Sequence, residues 1–240
     1  MPVFSYLKER NLLQTAIFVD GYNLYYGLLA GTAYKWLDLK SLLTHILYVQ
    51  DPSSSLISVD FFTSSVKPDL ATNGITSLHS QDKYIKALKN QGVSVHLGKH
   101  QVQRSKAPVY RKDQKPSRQD QVDIWKIEEK ETDVRIAISM YQLAWKESLK
   151  EAGQGIEQIV LVSADTDLGP ALKAIREDFP KMHIGVILPH REDISRDPPG
   201  SLGNQSHWMR RIVKDAELKN NQLPNRIHTR KGPLDKPTIW

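Results

Sequence analysis

The chain has 240 residues, 40% apolar and 25% charged, with 33 Lys and Arg against 27 Asp and Glu for a net charge of +6. It has no Cys, which excludes disulfide frameworks, thiolate nucleophiles, Cys-ligated zinc and iron–sulfur clusters. No apolar run approaches the roughly 20 residues that span a bilayer. The first 14 residues carry Lys8, Glu9 and Arg10 and lack the apolar stretch of a secretory leader, so cytoplasmic residence with no membrane partner is expected.

In chain order, residues 16–19 (AIFV), 56–62 (LISVDFF), 93–97 (VSVHL), 159–162 (IVLV) and 184–188 (IGVIL) are short and rich in β-branched side chains. They are predicted as buried strands. Apolar spacings of three and four predict helices over 24–29, 39–49, 80–91, 132–149 and 168–178. In the fourth, Val134, Ala137, Ile138, Tyr141 and Ala144 are expected to form the buried face. Strand and helix in alternation predict an α/β fold, a mostly parallel central sheet with helices on both faces. The expected organisation is one domain over 1–240, with a core at 15–190 and a C-terminal extension at 191–240.

Two segments interrupt this pattern. Residues 99–121 are polar and basic and contain Pro108 and Pro116, with 101–110 predicted as a hairpin inserted at the sheet. Residues 189–206 hold Pro198, Pro199, Gly200 and Gly203 and read as a loop, and 207–218 (HWMRRIVKDAEL) as a short helix. The positive charge collects in two places, a local +6 over 99–118 and +5 over 200–240, leaving the remainder near −5. Such stretches are either solvated surface or cations that meet a polyanion.

In an open parallel sheet, ligands bind at the carboxyl ends of the strands. Asp20 ends the first strand, Asp165 and Asp167 follow the fourth in SADTD, and Asp133 opens the long fourth helix. Brought together, these acids form an all-oxygen site suited to Mg²⁺ or Mn²⁺. Each alone reads equally well as a helix cap or a partner of a helix dipole. Asn23 is placed to orient an acid or a water, and Lys130 to meet a phosphate or balance the acids; both also read as ordinary surface polarity. Nucleotide-binding loops, a dinucleotide fingerprint, a hydrolase elbow and a zinc-protease motif are all absent. His96 and His100 do not share a face in a metal-binding spacing. Tyr25, Tyr26 and the five Trp are candidates to stack on bases, with Tyr141 and Trp145 expected to pack.

FVDGYNLYYGL, then EKETDVRIAISM, then IVLVSADTDLGPALKAI resemble the NYN domains of the PIN-like nuclease superfamily. The resemblance covers about residues 16–188. It implies an acidic cluster of Asp20, Asp133, Asp165 and Asp167, with Asn23, Ser163 and Lys130 in support. Ala164 stands where that family usually has Gly, and Glu131-Thr132 where it has Gly followed by an apolar residue. The tail, QLPNRI followed by KP and Trp240, resembles a bacterial subgroup, some members of which are named as hydroxylases of a succinylated hydroxypyridine.

Three readings follow. The first is a ribonuclease in which Asp20, Asp165, Asp167 and Asp133 hold Mg²⁺ or Mn²⁺ and RNA is the substrate. Its RNA-contacting cations would be Arg104, Lys106, Arg111 and Lys112 in the basic loop, then Arg210, Arg211 and Lys214. The second is a hydroxylase or monooxygenase of a hydroxypyridine-type molecule that uses a reduced nicotinamide. The third is an RNA-binding regulatory module without catalysis. The sequence sets no oligomeric state.

Overall fold

The apolar runs become strands of one seven-stranded sheet in the computed structural model, which describes residues 12–151, 153–193 and 198–240, with residues 100 and 127–130 as backbone alone. The strands are β1 (Leu13–Asp20), β2 (Ser54–Ser64), β3 (Ser94–Pro108), β4 (Gln121–Lys130), β5 (Gln158–Val162), β6 (His183–Ile187) and β7 (Trp208–Arg210). They lie in the order β4-β3-β2-β1-β5-β6-β7. All neighbours run parallel except β3 and β4. The fold is therefore α/β, as the alternating pattern predicts.

Both faces of the sheet are covered, and alternate residues of each strand feed two separate cores. Ile17 and Val19 of β1 join one cluster with α1 (Gly21–Leu24), α2 (Leu39–Gln50) and α3 (Gly74–Asn90). Ala16 and Phe18 join the other, with α4 (Thr132–Ser148) and α5 (Gly169–Asp178). Helix α2 alone buries Leu39, Leu42, Leu43, Ile46 and Leu47. Each such side chain contributes about 1.5–3 kcal/mol, which anchors the layer on that side of the sheet. Among the described residues no helix is long and apolar enough to cross a membrane.

Three expectations are corrected by the structure. First, α4 buries Thr132, Ile136, Met140 and Ala144, while Val134, Ile138, Tyr141 and Trp145 stay exposed. This helix is apolar on two sides, so periodicity offers two faces. The sheet takes the row with small residues at its ends, where close approach is possible. Second, residues 207–218 are not one helix. Trp208–Arg210 pairs with β6, and only Asp215–Asn220 is helical, numbered α7 after α6 (Gly200–Gly203). Third, the hairpin is longer than expected. It pairs Lys99 through Pro108 with Lys130 through Gln121, so the arm runs roughly 30 Å at about 3.4 Å per residue.

Trp208 explains why β7 is a strand. Its ring lies over Gly185 of β6, where a Cβ would collide with it, and its Nε1–H donates to Gln158 Oε1 at 2.8 Å. Gln158 is 1% exposed, and its Nε2 donates to Thr15 Oγ1 at 2.8 Å and Ser54 Oγ at 3.2 Å. One amide thereby ties β1, β2, β5 and β7 at the amino end of the sheet. The tail after α7 is sewn down as well. Trp36 Nε1–H donates to the Pro224 carbonyl at 2.9 Å, and Trp240 packs against Trp36 and Tyr84. A small hairpin of β8 (Arg226–Thr229) and β9 (Gly232–Asp235) lies within this tail.

Gln158→Leu preserves volume but strands the Trp208 donor and removes the donor to Thr15. The expected cost is about 1–3 kcal/mol, the range for a buried polar group left without its partner. Urea denaturation of the variant beside the parent protein measures it, and unchanged stability would show that the amide is not a tie.

Candidate active site

Strand order reverses between β1 and β5, with β2 and β3 on one side and β6 and β7 on the other. In such sheets ligands sit at the carboxyl ends of the strands flanking this reversal. β1 ends there at Asp20, and β5 runs out into Ser163, Ala164 and Asp165.

Asp20 is 3% exposed. A carboxylate withdrawn from water needs hydrogen-bond donors to offset its lost hydration, and at least four converge on it. Oδ1 accepts the backbone N–H of Tyr22 at 3.1 Å and of Asn23 at 3.0 Å, which caps α1. Oδ2 accepts Asn23 Nδ2–H at 2.6 Å and the Ser163 hydroxyl at 3.1 Å. Ser163 Oγ in turn accepts the Asp165 N–H at 3.0 Å, and Asn23 Oδ1 accepts the Ala164 N–H at 3.2 Å. Asp165 is half-buried, and its Oδ1 accepts the Asp167 N–H at 2.9 Å, capping the 3₁₀ turn Thr166–Leu168.

The structure thus brings Asp20, Asn23, Ser163 and Asp165 into one network. Both readings of Asp20 and Asp165 hold at once, because these acids cap local structure and also meet where strand order reverses. Asp133, second residue of α4, and Asp167 are exposed, on two elements that pack against each other. Among the described residues no three His, Asp or Glu side chains are grouped closely enough to hold a metal ion. The four acids expected to converge are therefore not a ready-made cage. The physical reason lies in the acceptors, since Asp20 is turned toward amide and hydroxyl donors and Asp165 toward its own turn. The side chain of Lys130 lies outside the described residues.

Glu131 precedes α4 with φ of 77°, the left-handed region that favours glycine. Its carboxylate meets Lys99 Nζ at 3.7 Å and Arg135 Nη2 at 3.1 Å, and Arg135 Nη1–H donates to the Leu97 carbonyl at 3.1 Å. The base of the arm is thereby joined to the helix that carries Asp133. Glu131 is not among the residues that sequence reasoning singles out for the site, although its departure from the glycine usual at that position is a signal of its special backbone. Ala164 is not among the positive-φ residues, so the other departure costs nothing in backbone geometry.

The basic candidates separate into two groups. In the arm, the Arg104 guanidinium sits over the Trp125 ring at 5.6 Å, Lys106 stands opposite Asp123, and Arg111 pairs with Asp120 at 2.7 Å. Lys112 is exposed at the tip. In the tail, Arg211 and Lys214 are exposed, but Arg210 is structural. Its Nη2 meets both oxygens of the buried Glu217, at 2.7 and 2.8 Å, and its Nε donates to the Ile212 carbonyl. Arg210 is corrected from a substrate contact to the internal partner of a buried carboxylate.

Comparison with known proteins places these features. The NYN domain profile matches residues 14–196. The chain is 33% identical over 246 aligned residues to the 6-hydroxy-3-succinoylpyridine 3-monooxygenase HspA of Pseudomonas putida, an alignment covering 95% of this chain and 75% of that protein. It also aligns with the crystal structure of a protein of unknown function, VPA0982, from Vibrio parahaemolyticus. The TM-score is 0.48 and the identity 16%, over 85% of this chain and 95% of that one. With the switch-point network lying inside the matched span, the chain belongs to the NYN domain family.

Proposed function

We propose that this chain is a divalent-metal-dependent ribonuclease. The observation that carries the reading is the network of Asp20, Asn23, Ser163 and Asp165 at the point where strand order reverses. Membership of the NYN family supports a nuclease assignment at the level of the superfamily. The donor set fits Mg²⁺ or Mn²⁺ in kind, because such ions use one or two carboxylates and complete their shell with water and substrate phosphate. Asp165 would hold it through Oδ2, and Asp20 would join by exchanging one of its hydrogen bonds for the ion, with Asp133 and Asp167 on the adjoining elements. When bound, the ion supplies Lewis-acid polarisation of the phosphate and a more acidic water.

The chain's own residues do the remainder. Asn23 and Ser163 lock the Asp20 carboxylate in one orientation, so it need not reorganise as charge develops. Asp165 uses Oδ1 to hold the Asp167 turn, which leaves Oδ2 for the site. Asp133 takes the proton of the attacking water. Water adds to phosphorus, the bond to the leaving oxygen breaks, and that oxygen leaves with a proton from solvent.

A second reading is favoured by one observation, the 33% identity to a protein named as a monooxygenase. On that reading the same site handles a hydroxypyridine-type molecule with a reduced nicotinamide as reductant. One experiment separates the two: the purified protein incubated with single-stranded and structured RNA, with Mg²⁺, Mn²⁺ or chelator, beside an assay for oxidation of reduced nicotinamide with hydroxypyridines. RNA cleavage abolished by chelator is the expected result. Nicotinamide oxidation without RNA cleavage would overturn the ribonuclease reading.

Asp165→Asn retains the cap to the Asp167 N–H and should keep the fold. RNA cleavage should fall by about 100-fold or more, the scale of losing one preorganised electrostatic group, and cleavage at the parental rate would remove Asp165 from the mechanism. For substrate binding, neutralising Arg104, Lys106, Arg111 and Lys112 together should weaken RNA affinity across sequences. The slope of log affinity against log salt should drop by about 0.7 for each phosphate no longer neutralised. Equal slopes in a salt titration would show that these side chains are merely solvated.

A further inference from the structure

A cavity of about 620 Å³ opens on the other side of the Asp20 cap, and neither the acid network nor the basic arm makes use of it. It lies at the carboxyl ends of β1 and β2, between α1 and α3. Its volume is within the range of small-molecule sites, about 300–1,000 Å³. Phe61, Tyr84 and Trp240 line it and pack edge-on against one another, Phe61 to Tyr84 at 6.5 Å and Tyr84 to Trp240 at 5.5 Å. The Tyr84 hydroxyl donates to the Leu37 carbonyl at 3.0 Å, so this wall is fixed from behind.

Three further rings come from the helical turn after Asp20. Tyr22 and Tyr26 stack at 5.9 Å, and Tyr25 meets Tyr26 edge-on at 5.1 Å. Tyr26 is 67% exposed, leaving aromatic surface open to a guest. Opposite them lies the segment after β2, pinned by Gln81. Its Oε1 accepts the Val66 N–H at 2.8 Å, and its Nε2 donates to the Ser64 carbonyl at 2.9 Å. This side of the cavity is therefore held by specific bonds.

Charge decides the rest. The lining contains Lys35 and Lys67 and no Asp or Glu, although the chain has 27 acids. Among the described residues neither lysine has a carboxylate partner. Lys35 is half-buried, and an unpaired ammonium there is offset when an anion arrives. Thr63 and Ser77 add hydroxyls to the lining.

We infer that this cavity binds one planar aromatic ring carrying an anionic group, the ring against Tyr26 and the anion at Lys35 and Lys67. The shared chemistry is a flat π face beside a carboxylate or phosphate. It has two sources, a nucleotide of an RNA strand or a free heteroaromatic acid. The inference stands on the cavity and does not depend on phosphodiester cleavage.

The test uses the full chain and follows tryptophan fluorescence, with Trp240 in the wall. Uridine 5′-monophosphate and pyridine-3-carboxylate are titrated, with uridine and pyridine-3-carboxamide as uncharged counterparts. Saturable binding is expected for at least one anionic probe, tenfold or more tighter than for its counterpart. Tyr26→Ala should weaken it about tenfold. Lys35→Gln with Lys67→Gln should remove the preference for the anion while leaving the uncharged counterpart unchanged. All these positions are at least partly exposed, and circular dichroism checks that the variants fold. Binding of the monophosphate with competition by an oligoribonucleotide assigns the nucleotide source, and binding of the pyridine acid alone assigns the free acid. No saturable binding by either anionic probe, equal affinity for charged and uncharged forms, or binding indifferent to both variants would overturn the inference. A protein that binds these probes yet never cleaves RNA keeps this site and loses the ribonuclease reading.

Discussion

Removing the Asp20 carboxylate from water is the constraint around which the centre of the molecule is arranged. At 3% exposure it must be met by donors, and those come from separate parts of the chain. The opening of α1 supplies two backbone N–H groups and the Asn23 amide, and the exit of β5 supplies the Ser163 hydroxyl. Asn23 then takes the Ala164 N–H, so β1, α1 and the loop after β5 cannot shift independently. Close packing completes the clamp. A Cβ on Gly21 would strike the Phe61 ring and the Phe62 carbonyl at the end of β2, and one on Gly27 would strike the Pro189 carbonyl beyond β6. The helical stretch from Gly21 through Leu29 is thus wedged between strand exits on both sides of the switch point, where close backbone approach demands residues without side chains.

Asp133 is positioned by a different device. β4 returns along the arm and must turn sharply so that α4 can lay Ile136, Met140 and Ala144 on the sheet. Glu131 absorbs that turn with φ of 77°, a conformation costing about 1–3 kcal/mol for a residue with a side chain. Its ion pairs with Lys99 and Arg135 are largely exposed, and such pairs contribute about 1 kcal/mol or less. They therefore orient the junction more than they stabilise it. What over-determines the strained residue is the long antiparallel ribbon on one side and the buried helix face on the other.

The parts of this architecture legible in the sequence are those set over short stretches. Five β-branched runs are strands, and the carboxylates beside them, Asp20 and Asp165, occupy strand exits because the residue after a buried run is where the chain leaves the sheet. What could not be read depends on distant partners. Trp208–Arg210 has helical spacing and is a strand because Gly185 leaves room for the indole and Gln158 accepts its N–H. Arg210 looks like any surface cation until Glu217 is seen beside it. The buried face of α4 is ambiguous in the sequence because apolar residues occur on two sides of it. The aromatic cavity joins residues from 21 to 240, and only the adjacent Tyr25 and Tyr26 hint at it.

The acid network and the cavity share the short turn after β1. The Tyr22 backbone N–H binds Asp20 Oδ1, while its ring stacks with Tyr26 on the wall of the cavity. A ring held against these tyrosines is thereby registered to the carboxylate, because both interactions hang from one rigid turn. Positioning of this kind serves any reaction whose substrate is an anionic aromatic unit, since proximity and orientation act before the nature of the bond is decided. If the cavity holds such a ring, one scaffold can belong to a nuclease superfamily and still resemble a protein named as a 6-hydroxy-3-succinoylpyridine 3-monooxygenase. What distinguishes such activities is the groups placed around a shared scaffold; in this chain Asp165 belongs to the acid network, while the cavity lining carries Lys35 and Lys67.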